Sequence, residues 1–289
     1  MTLKIAYQGE PGANSHIACI EVYPTCEPVP CGTFEDAFQA VADGETTLAM
    51  IPIDNSVAGR VADIHHLLPR SNLYIIGEHF LPVHHQLMIV PEADPQAIKS
   101  VHSHVHALGQ CRKVIREMKI KPVVAADTAG AARELAQARD LSRAAIATKL
   151  AAKIYGLRVI RENIEDEAHN TTRFVILSAT PQNAKVEDEP VVTTFVFRVR
   201  NVPAALYKAM GGFATNGVNM TKLESYQLEG QFSATQFYAD IEGHPEERNV
   251  RLAMEELEFF TSYLRVLGVY RASPHRAEIA RRMAALQGS

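Results

Sequence analysis

The sequence lacks the features of secreted, membrane-spanning and nucleic-acid-binding proteins. Its four cysteines are irregularly spaced and form no CxxC motif, so we expect a reduced, cytoplasmic protein. No apolar run approaches the roughly 18 residues that span a bilayer, and the first residues predict a strand instead of a signal region. Twenty-nine basic and 33 acidic side chains give a net charge of -4, which argues against a broad nucleic-acid or anionic-membrane surface.

Nucleotide-binding motifs are missing as well. Gly9 and Gly12 follow the first predicted strand, but the third glycine of GxGxxG and the Gly-Lys-Ser/Thr of a P-loop are absent. We therefore predict no nucleotide at this loop, whose backbone N–H groups could equally hold a carboxylate.

The histidines give only weak metal-site patterns. Three of them stand at alternate positions, at His102, His104 and His106. On a strand they would share one face, as a metal site requires, whereas a helix start or a loop would scatter the rings. His65-His66 and His84-His85 are adjacent pairs whose side chains point in different directions, which weakens them further. We predict no metal, and keep a metal-dependent hydrolase as the weakest alternative.

Short apolar runs alternate with helical patterns through the first 180 residues. Residues 48–51 and 87–90 predict buried strands, and Thr33 three residues before Asp36 predicts a capped helix start. Residues 107–118 predict a helical stretch. This alternation is typical of a mostly parallel α/β sheet.

A second region follows a polar stretch at 181–190 that predicts a linker. Its elements follow in the order βαββαβ, the ferredoxin-like split unit, with a turn at Glu229-Gly230. The tail from Ser273 carries Arg276, Arg281 and Arg282 and predicts a solvated helix.

The most informative local pattern is Asn170-Thr171-Thr172-Arg173-Phe174, at the entry of an apolar strand. Ligands bind near strand ends in α/β sheets, and an arginine grips a carboxylate with two hydrogen bonds. The residues alone leave a second interpretation open, in which Arg173 pairs with one of the acids at 165–167.

Motifs in residues 3 to 271 resemble, in their order, prephenate dehydratase with an ACT module. They lie at 7–12, 51–56, 81–84, 103–104, 110–111, 128–132, 145–147 and 170–174, and the ACT-like motifs lie at 201–207 and 219–225. Thr172-Arg173-Phe174 and the Pro-Ile-Asp-Asn-Ser stretch are specific to this family and its arogenate-using relatives. Ala13, Asn14 and Asp54 depart from the family pattern.

The resemblance implies an α/β fold with a two-lobed, periplasmic-binding-protein-like catalytic domain at 1–180. One lobe would take about 1–78 plus 165–180 and the other about 79–164. A linker at 181–190, a ferredoxin-like ACT regulatory domain at 191–272 and a tail at 273–289 would follow. ACT pairing implies a homodimer or homotetramer, and no chorismate mutase segment is recognised.

The implied reaction removes CO2 and water from prephenate to give phenylpyruvate in L-phenylalanine biosynthesis. Aromatisation drives it, so we expect no cofactor and no metal. Thr172 matches the family's catalytic threonine, and we interpret it as a positioned donor to the leaving hydroxyl. Arg173 is the predicted carboxylate clamp.

Further substrate contacts are carried over from matching motif positions: Asn55, Ser56, Ser103, Gln110, Thr128 and Phe174. Three of them also have ordinary structural interpretations. Asn55 suits a turn, Ser103 a helix cap and Thr128 an N-cap. Arogenate dehydratase and a non-catalytic amino-acid sensor remain alternatives for the chain.

L-Phenylalanine is the predicted allosteric ligand, bound between paired ACT domains. The expected contacts are Ala204, Ala205, Leu206, Asn219 and Met220. Ala204 replaces a family glycine, and Tyr226 and Gln227 replace an arginine and a proline. Weaker affinity, or a different ligand such as tyrosine, is therefore the alternative.

Overall fold

The computed structural model describes residues 2–167, 169–188, 190–200, 202–227 and 234–287. The chain divides into two compact units, one of residues 1–61 with 80–174 and one of 62–79 with 175–289. The predicted turn at Glu229-Gly230 and the motif residue Asn201 lie outside the described residues. Within the described part of the chain, no helix has the length and apolar character needed to cross a membrane.

The helices and strands follow one another along three stretches of the chain. The first stretch contains β1 (Lys4–Gln8), α1 (Asn14–Val22), β2 (Glu27–Cys31), α2 (Phe34–Ala42), β3 (Leu48–Asn55), β4 (Gly59–Arg60), α3 (Ala62–Leu67) and β5 (Tyr74–Pro82). The second contains β6 (Gln86–Ile89), β7 (Ser100–Ser103), α4 (Val105–Gln110), α5 (Arg112–Glu117), β8 (Lys121–Val124), α6 (Thr128–Ala138), β9 (Arg143–Ala147), α7 (Lys149–Tyr155), β10 (Arg158–Arg161) and β11 (Thr171–Ser178). The third contains β12 (Val191–Val199), α8 (Ala205–Thr215), β13 (Met220–Gln227), β14 (Ala234–Glu242), α9 (Arg248–Phe260), β15 (Thr261–Arg271) and α10 (Pro274–Gln287).

The first sheet has the strand order β2-β1-β3-β11-β5, with β4 paired to the end of β3. Strand β1 runs parallel to both β2 and β3. The predicted capped start of α2 is confirmed, because Thr33 Oγ1 accepts from the Asp36 N–H while Asp36 accepts from the Thr33 N–H. This reciprocal bonding satisfies two of the free N–H groups at a helix start.

The second sheet has the order β10-β6-β9-β7-β8. Strand β7 is parallel to β8 and β9, whereas β6 is antiparallel to β9 and β10. Leu87, Leu135 and Ile146 are among the fully buried side chains of the core between this sheet and its helices.

The predicted helical stretch over 107–118 consists of two helices, α4 and α5, which are separated at Cys111. That residue has φ −123° and ψ 28°, outside the helical region. The carboxylate of Asp166 accepts from the backbone N–H groups of Arg112 and Lys113 at 2.9 and 3.1 Å. A carboxylate on two free N–H groups stabilises a new helix start, which is α5.

The three alternate histidines do not share one face, because each has a different local structure. His102 lies on β7, His104 is the N-cap of α4, and His106 lies within that helix. The described residues contain no group of three or more His, Cys, Asp or Glu side chains arranged to hold a metal ion.

The third sheet has the order β13-β14-β12-β15, with all neighbours antiparallel. Phe195 and Phe197 of β12 pack in one core with Phe213 of α8 and Leu257 of α9. This order and this pair of helices confirm the predicted βαββαβ unit.

The tail forms the predicted helix α10, but the expectation that Arg276 is solvated is wrong. Its guanidinium donates to both carboxylate oxygens of Glu78, at 2.6 and 2.9 Å. The side chains of Glu78 and Asp240 are fully buried, and Asp240 lies 3.7 Å from the same guanidinium. Buried carboxylates need a paired cation, which explains why the arginine lies against the protein.

Candidate active site

A cavity of about 150 Å³ lies in the first unit, where the ends of several elements meet. Its lining residues are Asn14, Asn55, Ala58, Val83, His85, His104, His106, Ala107, Gln110, Thr128, Asn170 and Thr172. A larger groove of about 550 Å³ runs along β10 and contains none of the predicted site residues. The smaller cavity is therefore the candidate site.

Asn55 at the end of β3 holds both a turn and the site threonine. Its Oδ1 accepts from the backbone N–H groups of Val57 and Ala58, at 3.0 and 2.8 Å. Its Nδ2 donates to Asn170 Oδ1 at 2.8 Å and to Thr172 Oγ1 at 2.9 Å. The turn and site interpretations of Asn55 thus describe the same side chain. Because Thr172 Oγ1 accepts this bond, its own hydrogen stays available to a molecule in the cavity.

The hydrogen bonding continues from Asn170 to Gln110 and His85. Asn170 Nδ2 donates to Gln110 Oε1 at 2.7 Å, and His85 Nε2 lies 3.0 Å from the same oxygen. An amide oxygen only accepts, so the hydrogen of the His85 ring is on Nε2. Burial lowers the pKa of His85 below its usual 6.5, although the bond to Gln110 acts in the opposite direction. The ring is therefore neutral at pH 7.

The segment at 164–166 holds the backbones of His85 and Gln110. The Ile164 N–H donates to the His85 carbonyl at 2.9 Å, and the Asp166 N–H donates to the Gln110 carbonyl at 2.6 Å. Glu165 accepts from the His85 backbone N–H at 2.9 Å and contacts His84 Nδ1 at 2.7 Å. Burial favours a raised pKa for Glu165, but these hydrogen bonds outweigh it and lower the pKa.

Two further imidazoles line the cavity from α4. His104 Nδ1 accepts from the His106 N–H at 3.4 Å, and the two ring centres are 5.1 Å apart. Burial, then the neighbouring His106 charge, lowers the pKa of His104. A neutral His104 ring is thus the favoured form in this site.

Four predicted site residues meet at the cavity: Asn55, Gln110, Thr128 and Thr172. Four others do not line it. Ser56 donates to the His169 carbonyl at 2.7 Å, and Phe174 is 1% exposed in the core. Ser103 and Arg173 lie within β7 and β11. The roles assigned to all eight residues stay predictions.

The structure corrects the ordinary interpretations of Ser103 and Thr128. Ser103 is not a helix cap: it lies on β7, and its hydroxyl donates across the sheet to the Ile146 carbonyl at 2.6 Å. Thr128 is not an N-cap either, because Asp127 holds that position and accepts from the Gly130 N–H at 2.6 Å. The Thr128 hydroxyl is therefore not needed as a cap.

Arg173 lies on the opposite face of β11 from Thr172, because successive strand residues alternate. Its Nη1 is 4.0 Å from Asp54 Oδ2, and its side chain is 7% exposed. Asp54 alternates in the same way with Asn55 on β3. Asp54 is thus an ion-pair partner of Arg173 in the structure, whereas the sequence suggested the acids at 165–167.

Several lining residues are absent from the sequence-based site. His85 and His106 were considered only in an adjacent pair or as a metal ligand, and His104 and Asn170 otherwise only as parts of motifs. A usable signal was present, because Asn170 lies in the motif at 170–174 and His85 directly follows the motif at 81–84.

The predicted allosteric residues lie at the start of α8 and the start of β13. Ala204 has φ 58°, in the left-handed region that favours glycine. Leu206 and Met220 pack against the core of the third sheet, and Ala205 is 8% exposed. Asn219 Nδ2 donates to Glu242 Oε2 at 2.8 Å. Ligand binding by these residues stays a prediction.

Comparison with known proteins decides the family. The family model described as prephenate dehydratase matches residues 5–182. The chain belongs to the prephenate dehydratase family. It is 49% identical over 272 residues to a bifunctional N-acyl-homoserine lactone acylase/prephenate dehydratase of Komagataeibacter europaeus, covering 94% of this chain and 97% of the relative.

Two other members extend the comparison. Arogenate dehydratase/prephenate dehydratase 1 of Arabidopsis thaliana is 37% identical, covering 93% of this chain and 72% of the relative. A prephenate dehydratase of Arthrobacter aurescens, whose crystal structure is in complex with L-Phe, is 28% identical in sequence to this chain. The two structures superpose with a TM-score of 0.85, and 99% of each chain is covered. The match confirms the predicted fold class, and membership of the prephenate dehydratase family makes this chain an enzyme.

Proposed function

We propose that this enzyme converts prephenate to phenylpyruvate, CO2 and water. The observation that carries the proposal is the bonding of Thr172, whose oxygen accepts from Asn55 and whose hydrogen remains for the cavity. A donor held in advance at the position where negative charge develops is a strong source of rate enhancement.

The reaction needs such a donor at one atom, the leaving hydroxyl. The bond from the ring to its carboxylate breaks, and the electron pair enters the ring as CO2 departs. This pair shifts through the ring double bonds as the ring C–O bond breaks with its own pair, and the departing hydroxide takes a proton from solvent to become water. The Thr172 O–H stabilises the charge that develops on this oxygen, while aromatisation supplies the driving force.

The other lining groups can bind the substrate's carboxylates and keto oxygen. Gln110 uses its amide oxygen internally, which leaves its amide N–H groups for a ligand. Thr128 and the imidazoles of His104 and His106 supply further polar contacts on the same lining. These groups would orient the substrate, and orientation contributes to rate by itself.

A matched pair of variants tests the proposal. The purified enzyme is mixed with prephenate, and phenylpyruvate formation is followed. Thr172→Val keeps the shape but removes the hydroxyl, so we expect kcat to fall by about 10²–10³. Thr172→Ser restores the hydroxyl and should recover most of the loss. Equal activity in the two variants would remove the Thr172 hydroxyl from the mechanism.

Parallel substrates identify the activity itself. Arogenate tests the alternative that the Arabidopsis relative's name raises, and an N-acyl-homoserine lactone tests the second activity in the Komagataeibacter relative's name. Turnover of prephenate at the highest kcat/KM supports the proposal. Turnover of either alternative without prephenate would overturn it.

We propose further that residues 191–272 form an ACT domain that binds L-phenylalanine and inhibits the enzyme. The L-Phe complex of the Arthrobacter relative supports this proposal, as does the βαββαβ order. Pairing of ACT domains would give a homodimer or homotetramer, and the free cysteines agree with a cytoplasmic enzyme. The catalytic domain at 1–180 and the linker at 181–190 belong to the same proposal.

Calorimetry with phenylalanine, tyrosine and tryptophan tests the regulatory proposal. Phenylalanine should bind and raise the substrate concentration needed for turnover, by a coupling of about 1–3 kcal/mol. Absence of binding by phenylalanine at millimolar concentration would refute it. Tyrosine binding in its place would make tyrosine the effector.

A further inference from the structure

We propose that His85 is a positioning residue for Thr172. Its Nε2–H fixes the orientation of Gln110, and Asn170 and Asn55 transmit that orientation to the Thr172 hydroxyl. These five residues form what we name the polar series. The inference rests on the proposed function for its kinetic consequence only, since the bonding itself can be measured without substrate.

The direction of every hydrogen bond in the polar series follows from its Asn55 end. The Val57 and Ala58 N–H groups require an oxygen opposite them, so Asn55 presents Oδ1 to the turn and Nδ2 to the site. Asn170 must then present its oxygen to Asn55 and its nitrogen to Gln110. Each amide has one donor side and one acceptor side, so no single member can turn over alone.

His85 fixes the other end of the polar series. Gln110 Oε1 receives hydrogens from both Asn170 Nδ2 and His85 Nε2, at 2.7 and 3.0 Å. Without the His85 donor, the Gln110 amide would lose one of the two bonds that hold its oxygen inward and its N–H groups free. His85 is 4% exposed, and its backbone N–H and carbonyl are both bonded to residues 164–165. The backbone of His85 is therefore held independently of Gln110, and its buried ring has little room to move away.

The tautomer of His85 is a direct readout of this arrangement. Heteronuclear NMR of the histidine ring nitrogens in the intact enzyme should show the hydrogen on Nε2. In Asn55→Asp, position 55 has only acceptors, so Asn170 and Gln110 must turn over and Gln110 must donate to His85. We expect the ring hydrogen to move to Nδ1 in that variant. A wild-type ring protonated at Nδ1, or a tautomer unchanged in Asn55→Asp, would overturn the proposal.

Kinetics test the consequence for turnover. His85→Leu removes the donor, and we expect kcat to fall about tenfold to a hundredfold with KM little changed, because the hydroxyl is less well oriented. His85→Gln carries an amide N–H2 the same number of bonds from Cβ and should restore kcat to within about threefold. His102→Gln, outside the cavity, is the matched control and should keep wild-type kcat.

The outcomes separate this inference from the proposed function. Wild-type enzyme that does not turn over prephenate defeats the proposed function, while the tautomer still decides the polar series. Active wild-type enzyme with equal kcat in His85→Leu and His85→Gln, both folded by circular dichroism, defeats the positioning role. If His85→Leu does not fold, the tautomer in wild type and in Asn55→Asp carries the test.

Discussion

Replacing Asn55 with aspartate changes one group of the site and reverses the bonding of Thr172. The Oδ1 bonds to the Val57 and Ala58 N–H groups survive, so the turn is kept. The second carboxylate oxygen faces Thr172 Oγ1 at the position of the present 2.9 Å bond. It can only accept, so it draws the hydroxyl hydrogen away from the cavity. The leaving group then meets a lone pair instead of a donor.

The expected magnitude follows from the loss of one positioned donor. We expect kcat to fall by about 10²–10³, or roughly 3–4 kcal/mol in the barrier. Stability should change by only about 1 kcal/mol, because each lost hydrogen bond is replaced by a reversed one. Steady-state kinetics with prephenate measure the first quantity and urea unfolding the second.

Two controls make this prediction decisive. Asn249→Asp makes the same chemical change at an exposed position of α9 and should leave kcat unchanged. Adding Thr172→Val to Asn55→Asp should cost little more than Asn55→Asp alone, since the hydroxyl no longer donates to substrate. Wild-type kcat in Asn55→Asp, or full additivity in the double variant, would refute the reasoning.

Three further predictions concern stability and binding. Arg276→Ala leaves the buried Glu78 carboxylate without its bidentate partner and should cost about 3–5 kcal/mol in urea unfolding; a loss below about 1 kcal/mol would contradict this account. Arg173→Lys should lower stability, because lysine cannot reproduce the position of the guanidinium beside Asp54, while KM for prephenate stays within about twofold, because this side chain is not on the cavity lining; a large rise in KM would instead support the carboxylate clamp predicted from the sequence. Ala204→Gly should raise the free energy of unfolding, because φ is 58° there, whereas the control Ala214→Gly, within the same helix, should lower it by about 1 kcal/mol. A change of the same sign in both variants would disprove the backbone argument.

Features that depend on neighbouring residues could be predicted from the sequence. The capped start of α2 rests on residues 33 and 36, and each element of the βαββαβ order rests on the periodicity of its own residues. The break at Cys111 could not be predicted, because Asp166 causes it from 54 residues away in the chain. The burial of Arg276 is similar, since its partner Glu78 is 198 residues away. Local patterns carry no information about such partners.

The site was only partly predictable for the same reason. Family motifs identified Thr172 and Asn55, but the link from His85 to Gln110 spans 25 residues and appears only in three dimensions. The opposed directions of the His84 and His85 side chains were interpreted as evidence against a metal site at this pair. In the structure the exposed His84 side chain contacts Glu165, and the His85 side chain points toward the cavity.

The polar series also predicts an unusual separation between the pH dependence of stability and that of turnover. Burial lowers the pKa of His85 below 6.5, so the unfolded chain takes up a proton there more readily than the folded one. The contribution of His85 to the unfolding free energy is thus present above about pH 6.5 and is lost as the pH falls below it. Protonation of the ring, however, adds its hydrogen at Nδ1 and leaves the Nε2–H bond to Gln110 in place. We therefore expect kcat of wild type and of His85→Gln to fall in the same way as the pH is lowered. The unfolding free energy of the variant, in contrast, should fall less steeply than that of wild type between about pH 6.5 and 5, a range near the usual histidine pKa. If kcat of His85→Gln no longer fell at low pH, the imidazole would titrate in the reaction. The polar series would then not be an uncharged set of hydrogen bonds with fixed directions.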